Sequence, residues 1–141
     1  MKKVILSIFI FVFCLSFSVL AQDAVNAQAK ILADLEPMVA DTLAGYNAEN
    51  YEEYFMHFAK SMKAIATPQV FKNMVMNMWK KKVGEFKSRV LVEKKCSFND
   101  DFPLLVFEGT FKNSKMMISV NFMKEDGKYK IMQFRIDPEK K

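Results

Sequence analysis

The sequence predicts an α+β domain in which helices come first and an antiparallel sheet follows. Three observations carry this. Apolar residues recur at steps of three and four through residues 22–82, the spacing of a helix with one buried face. After Gly84 the period changes to two, the spacing of a strand. Short turn motifs then separate the strands, as hairpins require. Elements in that order bury their apolar faces by laying helices on one side of the sheet.

With 141 residues the chain suits a single domain. Half its residues are apolar (51%) and a quarter charged (26%), which excludes a disordered or multi-spanning chain. Residues 1–21 read as a signal peptide. Lys2 and Lys3 form the positive region, residues 4–20 are uncharged, and Val19-Leu20-Ala21 offers a cleavage site. The expected protein is therefore exported, periplasmic or secreted, with no stable membrane anchor after cleavage. Phe13 before Cys14 argues against lipoprotein processing. Removal of the leader takes two lysines and no acid, leaving 19 basic against 16 acidic residues. So mild a balance gives no reason to expect nucleic acid. Cys96 remains alone and is expected to be buried as a small hydrophobe.

Residues 22–36 form a lead-in helix or tail, residues 37–138 the domain and residues 139–141 a basic tail. Leu35, Met38, Val39, Leu43 and Tyr46 make one helical face, and Pro37 either kinks this helix or opens it. Gly45 and Asn47 supply a stop. Asn50 and Glu53 resemble a capping box ahead of Tyr51, Tyr54, Phe55, Phe58 and Met62, one face of a second helix. Thr67-Pro68 starts a third, with Phe71, Met74, Val75 and Met78 as its buried stripe; Lys80, Lys81 and Lys82 suit its C-terminal dipole, and Gly84 ends it.

The first strand places Phe86, Ser88, Val90 and Val92 on one face, with Arg89 and Leu91 on the other. Residues 103–111 form the second strand, with Leu105, Phe107 and Phe111 inward. Met116, Ile118, Val120 and Phe122 share a face of the third. Asp126-Gly127 is a hairpin turn into the fourth, from Tyr129 to Ile136.

The segments Asn50-Tyr51-Glu52-Glu53-Tyr54-Phe55, Met62-Lys63 and Gly84-Glu85-Phe86-Lys87-Ser88 resemble a bacterial family of small secreted domains of unknown function. That family belongs to the cystatin-like group that includes nuclear transport factor two and ketosteroid isomerase. The resemblance implies a curved four-stranded sheet around helices with a cone-shaped pocket. It brings no activity and no catalytic residues.

His57 is the weak catalytic candidate. As the only histidine, four residues after Glu53 on a helix, it has a carboxylate within reach to orient it. No acid falls on the inward strand faces, where the resembled isomerases keep one, so catalysis is not expected. Met74, Met76 and Met78 form M-x-M-x-M, a soft-metal pattern, but i+2 points away from i and i+4 on a helix. No metal and no cofactor are expected. The Lys80–Lys82 and Lys94–Lys95 clusters read as solvated charge.

The expected function is non-catalytic binding of a small apolar ligand or an envelope protein partner. Tyr46, Tyr51, Tyr54, Phe55, Trp79 and Tyr129 are the expected lining residues. The alternatives are a small isomerase- or hydrolase-like enzyme using His57, and a homodimer. The dimer would pair outer sheet faces through Leu91, Leu104, Val106, Met117 and Met123.

Overall fold

The structure is a computed structural model that describes the backbone of residues 2–138 and the side chains of residues 22–138. The expected signal peptide and Cys14 therefore lie outside the described side chains, as the tail 139–141 lies outside the described backbone. The chain divides into two compact units, residues 1–33 and 34–141. The first is helical throughout from Lys2. Among the described residues no helix is long and apolar enough to cross a membrane.

Helix α1 (Lys2–Ala48) contains Pro37 in its interior, so that proline does not open the domain's first helix. The second unit thus begins with the end of α1. It continues through α2 (Tyr51–Phe55), α3 (Lys60–Ile65), α4 (Pro68–Val70), a π-helix (Phe71–Lys80) and α5 (Lys81–Val83). Strands β1 (Phe86–Leu91), β2 (Leu104–Phe111), β3 (Lys115–Glu125) and β4 (Lys128–Pro138) follow in the sheet order β1-β2-β3-β4, all neighbours antiparallel. This is the α+β architecture the periodicity implies, and the sheet is open.

The core lies between the inner sheet face and α1. Leu35, Val39, Leu43 and Tyr46 are at most 1% exposed, as are Leu105, Phe107, Ile118, Val120, Phe122 and Ile131. Each such side chain contributes about 1.5–3 kcal/mol by leaving water. Thr42 is buried among them and donates to the Met38 carbonyl at 2.9 Å, which satisfies its hydroxyl locally. Asp126 (φ 52°) and Gly127 (φ 73°) both adopt the left-handed conformation of a type I′ turn, which sets the β3–β4 register.

Helix α1 ends in a Schellman motif. The Asn50 N–H donates to the Gly45 carbonyl at 3.0 Å and Glu49 (φ 57°) takes the left-handed position. Gly45 has a different task from stopping the helix. A Cβ there would lie 2.3 Å from the Tyr54 backbone nitrogen, so α1 and α2 can touch only through a glycine. The two predicted N-caps are present: Asn50 accepts from Glu53 N–H at 3.2 Å and Thr67 from Val70 N–H at 3.3 Å.

Three expectations are corrected. The face through Tyr51 and Met62 is not one helix, because the chain leaves helical geometry after Phe55 and pairs with β4. Ala59 N–H donates to the Ile131 carbonyl and Ile131 N–H to the His57 carbonyl, both at 2.9 Å. In β1, a bulge between Phe86 and Ser88 shifts the register by one residue and exchanges the faces beyond it. Arg89 and Leu91 therefore pair with Gly109 and Phe107 on the inner face, while Val90 is 68% exposed. Leu91 is consequently absent from the outer face. Arg89 lies over the Phe107 ring and donates to Glu36 of α1 at 2.9 Å.

The third correction concerns the methionines. Met74 and Met78 are 52% and 59% exposed, not buried. The i→i+5 bonds of the π-helix widen each turn beyond four residues, so the inward row becomes Phe71, Val75, Trp79 and Val83.

Candidate functional site

The bridge between Phe58 and Ile131 creates the site. It ties the α2–α3 turn to the outer edge of β4, but the chain then departs into α3 at Lys60. Beyond Ile131 the edge of β4 has no strand partner among the described residues. The space left between that edge and the helices is a concavity of about 310 Å³. Gln133, Phe134, Arg135 and Ile136 form its strand wall. Its helical wall runs from Met62, Ile65 and Ala66 through Val70, Met74 and Val75 to Trp79.

The floor is an aromatic cluster. Tyr54 stacks on Phe58 with ring centroids 5.7 Å apart and meets Phe55 edge-on at 4.8 Å. Phe71 and Phe134 lie 5.2 and 6.1 Å from the Tyr54 ring. Such offset and edge contacts fix ring orientation and make the floor rigid. Tyr51 stands behind it, donating to the Ala66 carbonyl at 2.6 Å and so tying α2 to the end of α3.

The Tyr54 side chain is 6% exposed, and its hydroxyl bonds no residue among those described, unlike the hydroxyls of Tyr46, Tyr51 and Tyr129. Burial, reinforced by the nearby Tyr46 phenol, pushes the Tyr54 hydroxyl above the usual tyrosine range. It therefore stays neutral and can donate or accept a hydrogen bond.

Tyr54, Phe55 and Trp79 of the expected lining residues come together here. The others do not. Tyr46 is fully buried in the core, packs edge-on against Phe111 and donates to the Gly84 carbonyl at 2.9 Å. Tyr51 borders a separate surface hollow with Glu52, Glu53 and Lys63. Tyr129 sits at the β3–β4 hairpin, where it donates to Asp100 at 2.8 Å under the Lys124 ammonium. Desolvation and the Asp100 carboxylate push its hydroxyl up to about 12. No sequence pattern marks the strand wall, because an edge strand declares itself only in the sheet order.

His57 lies in the α2–α3 turn, not on a helix, and its orienting carboxylate is Asp41 of α1 instead of Glu53. Nε2–H donates to Asp41 Oδ2 at 2.7 Å, with the two side chains 25% and 48% exposed. Neither residue lines the concavity. Cys96 is half-buried. Its Sγ accepts from Val106 N–H at 3.3 Å and donates to the Val92 carbonyl at 3.4 Å. Desolvation raises the thiol pKa, the reverse of what activates a nucleophile. Among the described residues no three His, Cys, Asp or Glu side chains gather to hold a metal.

The outer sheet face carries a second hollow bordered by Val106, Met117 and Ser119 with the charged Lys95, Arg135 and Asp137. Arg135 and Asp137 pair at 3.0 Å. Cross-strand neighbours add Glu108, Asn121 and Gln133, so Leu104, Val106 and Met117 stand among polar groups. No protein-family model and no curated protein matches this chain.

Proposed function

We propose that this chain is an exported, non-catalytic binding domain that holds a small apolar ligand between its helices and the edge of β4. The carrying observation is the lining of the 310 Å³ concavity: aliphatic, Met and aromatic side chains throughout, relieved only by Tyr54, Trp79, Gln133 and Arg135. A hollow of that size and makeup is at the small end of ligand sites, where apolar walls give affinity and a few polar groups give orientation. Helices ahead of a four-stranded antiparallel sheet also agree with the cystatin-like resemblance, which supports a pocket between the two layers. Neither Asp41 nor His57 lines the concavity, which favours binding over turnover.

The test is displacement of a neutral apolar fluorophore, N-phenyl-1-naphthylamine, from the purified protein. Val75→Phe fills the hollow and is expected to weaken the probe at least about tenfold, while His57→Ala leaves it unchanged. Tyr54→Phe is expected to weaken polar apolar-bodied ligands such as decanol about threefold and the naphthylamine not at all. Probe binding that survives Val75→Phe, or a protein that binds neither compound, rejects this reading.

A further inference from the structure

Residues 54–84 contain six lysines and not one aspartate or glutamate, the nearest acids being Glu53 and Glu85. The same stretch carries five of the nine exposed large hydrophobic side chains among the described residues: Met56, Ile65, Val70, Met74 and Met78. A solvated charged face does not need such a row, and a core row would not be exposed. The π-helix turned it outward: Val70, Met74, Met78 and Lys82 recur at steps of four, all on the exposed side. Lys80 is engaged with the Asn47 carbonyl and Glu49, and Lys60 with Asp126. Lys72, Lys81 and Lys82 form no ion pair among the described residues.

We infer that this helical face docks on an anionic lipid bilayer. The partner must be negatively charged, because the exposed Lys72, Lys81 and Lys82 of this face have no acidic partner among the described residues, and it must accept apolar side chains without offering a shaped pocket for them. An interface of anionic headgroups over acyl chains meets both demands. Lysines contribute attraction at headgroup depth while Val70, Met74 and Met78 enter the acyl boundary. Ile65, Val70 and Met74 also border the concavity, so docking would bring its mouth to the bilayer. The inference stands independently of whether that concavity holds a ligand.

Trp79 is the only tryptophan and lies on the same π-helix, so the native chain reports its own docking by fluorescence. Mature protein is titrated with vesicles of phosphatidylcholine alone, and of equimolar phosphatidylcholine and phosphatidylglycerol. A blue shift and co-flotation are expected only with the mixed vesicles, reversed by about 0.5 M salt as the Debye length shrinks below the headgroup spacing. Combined Lys72→Glu, Lys81→Glu and Lys82→Glu should lower partitioning about a hundredfold. Met74→Ser with Met78→Ser should lower it about tenfold while circular dichroism stays unchanged. Equal binding to neutral vesicles, or none to either, overturns the inference. So does self-association in sedimentation that the methionine double variant abolishes, since a second copy would then be what covers the face.

Discussion

The sheet with the end of α1, and the helical stretch from Tyr54 to Gly84, follow different rules within one short chain. In the sheet, polarity and position agree: alternating residues of β3 from Met116 to Phe122 are buried, and their neighbours are not. In the helical stretch they disagree, and Met74, Met78 and Ile65 stand in solvent beside lysines. The first region is organised by burial against itself. The second buries an aromatic cluster, is tied to its surroundings by contacts such as the Phe58–Ile131 bridge and the Tyr51–Ala66 bond, and leaves an apolar and positive row on its surface. Apolar residues therefore serve stability in one place and a surface in the other.

Stability measurements should separate the two regions most widely at their apolar side chains. Ile118→Ala opens a cavity in a fully buried site and is expected to cost about 2–5 kcal/mol in urea unfolding. Met78→Ala, at 59% exposure, is expected to stay within about 0.5 kcal/mol of the parent. A comparable loss at both positions would mean that the methionine row is core after all.

The joint between the regions offers the next largest effect. Gly45→Ala puts a methyl group 2.7 Å from the Tyr54 Cα, a backbone atom that cannot move without α2. The expected cost is about 1–3 kcal/mol, and the naphthylamine site should weaken as well, because Tyr54 is its floor. Loss of stability with probe binding intact would show that α2 shifts without disturbing the concavity.

What could be read beforehand follows the same division. Strand faces are legible because a period of two leaves one choice of inward row, fixed once Asp126-Gly127 sets the turn. The β1 bulge escaped because it changes register without changing composition. On the π-helix the letters allow two rows from Phe71, one through Met74 and Met78 and one through Val75, Trp79 and Val83. Only the hydrogen-bond register decides between them, and no residue type encodes it. Tyr54, Phe55 and Trp79 were identifiable as bulky aromatics near a groove. Tyr46 has the same chemistry but points at the Gly84 carbonyl, a partner 38 residues away that local pattern does not reveal.

The smallest effect belongs to Glu49, the residue that turns the chain from α1 toward α2. Its φ of 57° places a side chain in the left-handed region, at a cost of about 1 kcal/mol relative to glycine. Its carboxylate meets Lys80 at 3.0 Å but is 64% exposed, so that pair returns little. Glu49→Gly relieves the backbone and loses the pair, while Glu49→Ala loses the pair and keeps the strain. The glycine variant should therefore be the more stable of the two by about 0.5–1 kcal/mol in urea unfolding, since added unfolded-state freedom offsets part of the gain. Equal stabilities would mean that the turn tolerates a Cβ without strain.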